Sequence, residues 1–228
     1  MSDDTYRVGQ EWRRDGAAMV IISGMLLGGL LALPHLPARV PTHWNAAGQV
    51  NGWSSPLGAV LPPPVIAMGL WLLLLFLPTI DPRQRNYVAF AGLYRGIRLG
   101  LVLLMALIEA LTLAGPLGHP VHMALVLPLA VAALIVFVGN SLGRVRPNYF
   151  VGIRTPWTLS DPEVWRRTHR FSAPLFVIGG LVTAAGVLLP GSWRIAAALA
   201  GVGGAALAAV VYSYVAWRRA PHPPSSPD

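Results

Sequence analysis

The sequence predicts an all-α membrane protein: a bundle of six transmembrane helices with both termini in the cytoplasm, a small outer hairpin-like loop and a structured inner loop. Apolar residues make up 54% of the 228 residues and charged residues only 11%, whereas a soluble domain has about 25% charged residues. The apolar residues gather in long runs, which a bilayer can solvate, and the arginines gather between alternate runs. Cysteine is absent, which excludes disulfides and thiolate metal sites.

Six apolar runs are long enough to be transmembrane helices. Each has roughly 18–25 residues, and about 20 residues cross the hydrocarbon core as a helix. The runs cover residues 17–36, 57–80, 97–115, 122–142, 172–189 and 193–217. A proline run from Pro62 to Pro64 predicts an irregular start or a kink in the second helix.

The arginines set the predicted orientation. Fifteen of them lie before the first run, in the second and fourth connections, at the start of the third run (Arg98) or after the last run, and only Arg39 and Arg194 lie on the opposite side. Arginine-rich connections stay in the cytoplasm, which places a cytoplasmic segment at 1–16 and a disordered cytoplasmic tail at 218–228. Between them we predict two three-helix regions, 17–115 with an outer loop at 37–55 and 116–217 with an inner loop at 143–171.

The outer loop contains two short extended segments that could pair as a hairpin. They are Val40 to Trp44 and Gln49 to Trp53, and the residues between them, Asn-Ala-Ala-Gly, favour a turn. Both tryptophans would then lie at the outer membrane interface, where indoles are favoured. The simpler interpretation is a membrane-surface anchor that only joins two helices, and from these residues alone we prefer it.

The inner loop combines helix-start signals with arginines and aromatic residues. Ser160 followed by Glu163 is a capping-box pattern, which predicts a helix that runs toward the fifth span. Before that helix, Pro147, Gly152 and Pro156 forbid a long helix, so we predict that residues 148–159 form an ordered loop against the membrane. An interfacial anchor, with aromatic side chains among the headgroups and arginines on lipid phosphates, would account for this composition.

Two segments resemble a known family of bacterial membrane proteins. The inner loop reads RPNYFVGIRTPWTLSDPEVWRRTHRFS and closely resembles the signature of the SdpI family. The outer loop reads LPARVPTHWNAAGQVNGW and resembles part of a domain of unknown function that commonly precedes it. The resemblance implies a multi-pass protein of the bacterial cytoplasmic membrane. The founding member protects its producer against a secreted cannibalism peptide toxin and sequesters a transcriptional repressor at the membrane.

The resemblance also implies two candidate surfaces. The inner one would bind a partner or ligand, and Arg154 could present its guanidinium to a phosphate or carboxylate, while Asn140 could hydrogen-bond the loop in place. The outer one would be the first place to look for an extracellular peptide. The inner residues are Asn140, Pro147, Asn148, Gly152, Arg154, Thr155, Pro156, Trp157, Thr158, Trp165, Thr168 and His169, and the outer ones Pro41, His43, Trp44, Gly48 and Gly52.

One carboxylate and four histidines need separate interpretation. Glu109 lies inside the third span, where a charge is costly, so it should face the bundle or be protonated. It could be a proton or cation site, but we prefer a neutral carboxyl bonded to a neighbouring helix. The four histidines on the predicted outer side are His35, His43, His119 and His122. Nothing in their spacing brings them together, so we predict no metal site and no cofactor.

The preferred functional prediction is an immunity and signal-transduction protein that senses or neutralises a membrane-active peptide toxin and relays to a cytoplasmic partner. The alternatives are a small transporter or exporter that uses Glu109, and a structural protein that binds lipid. No catalytic or phosphate-binding motif is present, so we predict no enzyme. The predicted partners are the lipid bilayer, the peptide, a cytoplasmic transcriptional repressor and, through small-xxx-small pairs such as Gly24 and Gly28, a second copy. We predict no direct contact with nucleic acid.

Overall fold

The structure, a computed structural model, describes residues 5–45 and 47–220 and is mostly helical. The α-helices of this part of the chain are α1 (Val8–Arg14), α2 (Gly16–Ala32), α3 (Pro56–Val60), α4 (Pro62–Phe76), α5 (Ala91–Ala114), α6 (Met123–Leu142), α7 (Pro156–Ser160), α8 (Pro162–Gly186), α9 (Trp193–Ala198) and α10 (Gly204–Arg218). Strands β1 (Val40–Trp44) and β2 (Val50–Ser54) pair antiparallel between α2 and α3. A π-helical turn, Leu199–Gly203, joins α9 to α10.

Several of these helical segments are long and apolar enough to cross a membrane. Within the described residues there are five: Gly16–His35, Pro56–Ile80, Gln84–Ala114, Met123–Leu142 and Trp193–Arg218. They contain five of the six predicted spans. The remaining predicted span, 172–189, lies mostly in α8, a helix of 25 residues whose first half carries a glutamate and several arginines. Six crossings and the orientation of the bundle stay predictions, and the predicted disordered tail lies mostly outside the described residues.

The structure corrects the predicted starts of two helices. Ser160 does not cap α8, because its hydroxyl donates to the carbonyl of Trp157 at the end of α7. Asp161 caps α8 instead, and its Oδ1 accepts hydrogen bonds from the N–H groups of Glu163 (2.7 Å) and Val164 (3.2 Å). Helix α5 begins at Ala91 rather than near residue 97. The predicted cytoplasmic segment 1–16 also contains α1, a helix that the sequence analysis missed.

The proline run interrupts the second span without bending its main helix. Helix α3 ends at Val60, and α4 begins at Pro62, so the prolines occupy the first turn of α4. The N–H groups of a first turn have no intrahelical partner, so proline costs no hydrogen bond there. The irregular start that the sequence predicted is therefore confirmed.

The helices pack in two groups that meet between α5 and α6. Helices α2, α4 and α5 form one group around Trp71, and α6, α8 and α10 form the other. The groups meet where Gly96 of α5 lies against Phe137 of α6 and Gly100 lies against Leu134. This small-xxx-small pair thus serves packing inside the chain, whereas the pair at residues 24 and 28 faces open space.

Candidate functional site

Asn148 is the polar centre of the predicted inner loop. Its side chain is fully buried. Its Oδ1 accepts hydrogen bonds from the N–H groups of Phe150 (2.9 Å) and Val151 (2.6 Å). Its Nδ2 donates to the carbonyls of Arg146 (2.8 Å) and Val151 (3.0 Å), and the hydroxyl oxygen of Tyr87 lies 3.3 Å from Oδ1. A buried amide that uses all these donors and acceptors fixes the conformation of its loop.

His169 of α8 holds the next part of the loop. Its Nδ1 lies 2.8 Å from the carbonyl of Trp165, and its Nε2 accepts from the N–H of Ile153 at 3.0 Å. This pattern requires a neutral ring with the proton on Nδ1. Burial lowers the pKa of His169 to about 4, and the hydrogen bond to the Trp165 carbonyl opposes that shift. Gly152 lies over the ring with φ +111°, where a Cβ would collide with Nε2.

The remaining inner-loop side chains bind the loop to α8 and α10. The indole of Trp165 stacks on His169 with ring centroids 4.1 Å apart and donates to the carbonyl of Val145 at 2.9 Å. Thr155 and Thr158 form a capping box at the start of α7. The hydroxyl of Thr155 also donates to that of Ser213 in α10 at 3.1 Å. Six of the twelve inner residues are thus buried, and the contacts of this set position the loop.

A short segment between α4 and α5 forms hydrogen bonds that connect the inner loop to the helix group of α2, α4 and α5. Asp81 is buried, and its Oδ2 accepts from the Tyr87 hydroxyl and from the N–H of Tyr149, both at 2.9 Å. Arg83 donates to the carbonyl of Leu159 at 2.8 Å. In the same segment, Asn86 donates to the carbonyl of Pro147 at 2.7 Å. These contacts join the two helix groups at the arginine-rich end of the molecule, which is defined here by α1 and residues 81–90 and 143–171.

The inner-loop residues that stay accessible are few. Arg154 is exposed, and one terminal amino group of its guanidinium donates to the carbonyl of Tyr149 at 2.9 Å. Asn140 is also exposed, and its side chain makes no hydrogen bond to the loop among the described residues, so its predicted role was wrong. Pro156 is exposed beside Trp157, whose ring lies 5.1 Å from that of Tyr214. Thr168 is fully buried.

The predicted hairpin is present and lies on the start of α6. His43 is exposed and its Nδ1 lies 2.5 Å from Oδ1 of Asn51 on the paired strand. Gly48 in the turn has φ +79°, and a Cβ there would lie 2.7 Å from the Cβ of Ala124 in α6. The turn therefore requires glycine for its backbone conformation and for its close approach to the helix. The hairpin does more than join two helices, contrary to the interpretation that we preferred from the sequence.

Two recesses open on either side of Trp44, at the end of the molecule that carries the hairpin. One, of about 220 Å³, lies under the turn between α6, α8 and α9, with Arg194 in its wall. The other, of about 410 Å³, lies between the hairpin and the end of α5, with Pro41 in its wall. The guanidinium of Arg39, in the wall of the second recess, lies 5.7 Å from the ring of Trp53. We call this the hairpin end.

Glu109 faces the interior of the helix group, as predicted. It is 4% exposed, and neither of its carboxylate oxygens has a hydrogen-bond partner among the described residues. The prediction that the Glu109 carboxyl bonds to a neighbouring helix is therefore wrong for the residues that the structure describes. Gly29 of α2 makes room for the carboxylate, since a Cβ at that position would lie 2.7 Å from Oε1.

The sequence analysis missed a buried charge cluster at the arginine-rich end. The side chain of Arg98 in α5 is 0% exposed, and it pairs with Glu11 at 3.0 Å and Asp15 at 2.9 Å. It also donates to the hydroxyl of Tyr6 at 2.8 Å, and Trp71 donates to Asp15 at 3.0 Å. These bonds hold α1 in the end of the bundle. A buried arginine needs such partners, and the signal available in the sequence was the pair of acidic residues Glu11 of α1 and Asp15 just after it.

The histidines of the hairpin end do not form a metal site. Among residues 5–45 and 47–220, no group of three or more histidine, cysteine, aspartate or glutamate side chains is placed to hold a metal ion.

Comparison with known proteins finds two family matches along the chain. Residues 144–215 match the SdpI/YfhL protein family, and residues 20–68 match a domain of unknown function, DUF1648. The immunity protein SdpI of Bacillus subtilis (strain 168) is 28% identical over 167 residues, which are 73% of this chain and 78% of that protein. No solved structure matches. Residues 20–68 are thus similar to DUF1648 and residues 144–215 to the SdpI/YfhL family, which confirms the resemblance, and none of these descriptions is that of an enzyme.

Proposed function

We propose that this protein gives a bacterial cell immunity to a secreted, membrane-active peptide, and that it relays the presence of the peptide to a cytoplasmic partner. The observation that carries the proposal is the similarity to an immunity protein over 73% of this chain and 78% of the relative. The proposed arrangement has six crossings of the cytoplasmic membrane in two three-helix regions, and the hairpin end faces outward.

The hairpin end is the proposed contact for the peptide. Its recesses lie beside a hairpin whose turn requires a glycine, and their walls are mostly apolar. A membrane-active peptide is itself largely apolar, so burial of its side chains in these recesses would contribute favourably. Trp44 lies in the walls of both recesses and Pro41 in the wall of the larger one, and His43 is exposed on the same strand.

Helix α8 is the proposed connection between the two ends. Its 25 residues span about 37 Å along the helix axis. His169 near its start holds the inner loop, and Thr183 near its end lies in the wall of the smaller recess. A ligand that prefers one position of α8 by a few kcal/mol would change the exposure of the loop, which is what a relay requires.

The exposed part of the inner loop is the proposed contact for the cytoplasmic partner. Arg154 uses one amino group inside the loop and keeps its other donors for a carboxylate or phosphate of the partner. We propose a protein partner of the transcriptional-repressor class and no direct contact with nucleic acid.

Survival of toxin-sensitive bacteria tests the immunity function. Cells that express the wild-type chain would be challenged with candidate secreted peptides, beside cells that express Arg154→Ala or Arg146→Ala at equal levels. Arg146 is an exposed arginine of the same loop and serves as the matched control. We expect protection by the wild type and the control and a loss with Arg154→Ala. Failure to protect against every peptide would contradict immunity.

A small transporter is the second candidate, and Glu109 favours it. A buried carboxylate without a partner inside a membrane span is typical of proton or cation sites. Glu109→Gln keeps the size of the side chain and removes its proton exchange. A transport function predicts that this variant loses activity, whereas immunity through the hairpin end predicts that it still protects cells.

A further inference from the structure

The hairpin end combines an apolar recess with a cation that has free donors. Arg194 lies at the start of α9, where its Nε donates to the carbonyl of Leu189 at 2.8 Å. Its two terminal amino groups have no partner among the described residues. The guanidinium is part of the wall of the 220 Å³ recess and of an adjoining, more polar recess of about 370 Å³ that also contains His122 and Gly48. Arg194 therefore lies between an apolar recess and a more polar one.

The charges around this recess all have one sign. Every aspartate and glutamate of the chain lies at 3, 4, 11, 15, 81, 109, 161, 163 or 228, so the connections 33–55, 115–122 and 187–192 contain none. Arg39, the arginine within these connections, already lies against the ring of Trp53. An anionic group is therefore the complementary ligand for Arg194, and a guanidinium binds a carboxylate with two parallel hydrogen bonds.

We propose that the recess binds the C-terminal end of an apolar peptide, with the terminal carboxylate on Arg194 and the last side chains in the apolar space. This inference rests on the proposed function and names the part of the peptide that is recognised. The apolar walls come from Trp44, Met123, Leu127, Val187, Ile195 and Ala198.

The depth of the recess favours a peptide end over a phospholipid. Its wall on α6 extends from Met123 to Pro128, which is about 7.5 Å along the helix axis. An acyl chain extends through half of the hydrocarbon core, about 15 Å. The hairpin turn covers the top of the recess, so a lipid would leave most of its chain outside, whereas one or two side chains of a peptide fit inside.

Binding of a defined probe to the full-length protein tests this site. The protein would be placed in nanodiscs of phosphatidylcholine and titrated with dansyl-Ser-Ser-Leu-Leu, with either a free C-terminal carboxylate or a C-terminal amide. Fluorescence polarisation gives the two affinities. We expect the acid to bind about tenfold more tightly than the amide, which is one charge-assisted pair. Equal affinities of the two peptides, or no binding of either, would overturn the proposal.

Three variants assign the effect to the recess. Arg194→Gln should abolish the preference for the acid, whereas Arg39→Gln, the matched control, should keep it. Ala198→Leu should lower the affinity for both peptides, because the larger side chain fills the apolar space. An equal loss with both arginine variants would mean attraction by general surface charge and would contradict the site.

Two further measurements separate the remaining outcomes. If native mass spectrometry detects phosphatidylglycerol that is retained through Arg194 and that the probe does not displace, the site binds lipid and the proposal is wrong. The survival assay is independent of the probe. Peptide binding that depends on Arg194, without protection of the cells, would contradict immunity but support the peptide site. Protection that is unchanged in cells with Arg194→Gln would show that the toxin does not use this site.

Discussion

The arginine-rich end and the hairpin end of the molecule differ in whether the polar side chains discussed above have partners within the protein. At the arginine-rich end, Asn148, His169 and Asp81 use their donors and acceptors inside the protein. At the hairpin end, Arg194 keeps two amino groups without a partner among the described residues, beside a recess. Satisfied polar networks give a rigid scaffold, and unpaired groups at a cavity are available for ligands. The inner-loop motif, which is the most recognisable segment of the chain, is therefore mainly structural.

The difference predicts that substitutions at the arginine-rich end damage stability most, and Arg98→Gln should have the largest effect. The substitution leaves Asp15 buried without its countercharge and removes from Glu11 its fully buried partner, which costs about 3–5 kcal/mol. Thermal unfolding of the detergent-solubilised protein measures this. Arg95→Gln is the matched control, because Arg95 pairs with Glu11 from a partly exposed position. Equal small losses in both variants would mean that the cluster does not hold α1.

Asn148→Ala should have the next largest effect. The N–H groups of Phe150 and Val151 would lose their acceptor in a buried loop, at a cost of about 3 kcal/mol. Asn140→Ala, on the exposed face of α6, should change the unfolding temperature little. If the two alanine variants unfold at the same temperature, Asn148 does not stabilise the inner loop, and the loop is not a rigid scaffold.

The sequence predicts the apolar helices well, because long apolar runs depend only on local composition. It also predicts the hairpin, because the turn residues between Trp44 and Val50 favour it locally. The polar centres depend on contacts between distant residues. Arg98 and Glu11 are 87 positions apart, and no local pattern joins them. In the sequence, Arg98 counts only as one of the fifteen arginines that set the orientation, although in the structure it is buried against two carboxylates.

The candidate site shows the same limit. The family motif indicates which inner-loop residues matter but not which are accessible, so Thr168 and Arg154 appear equivalent in the sequence although one is buried and the other exposed. Arg194 belongs to no motif. Its importance depends on the packing of α6, α8 and α9 around a cavity, which the sequence does not describe.

Acid should weaken the scaffold at the arginine-rich end. The pKa of His169 is about 4 in the folded protein, against 6.5 for a histidine that is exposed to water. The unfolded state therefore binds more protons as the pH falls below 6.5, and folding stability decreases down to about pH 4. At pH 5 the loss is about 2 kcal/mol relative to pH 7. Thermal unfolding of the wild type and of His169→Gln over this range measures the effect, and an unchanged pH slope in the variant would contradict it.

Gly48→Ala should have the smallest effect on stability and a clear effect on ligand binding. A residue with a side chain at φ +79° costs about 1 kcal/mol, and its Cβ would push the turn away from Ala124 and change the shape of the recess. Gly118→Ala is a matched control at the same end, because Gly118 has φ +89° and nothing within 4 Å of a built Cβ. We expect similar losses of stability in the two variants, but weaker binding of the dansyl peptide only in Gly48→Ala. Equal peptide affinities would mean that the hairpin turn does not shape the recess, and the functional difference between the two ends of the molecule would then disappear.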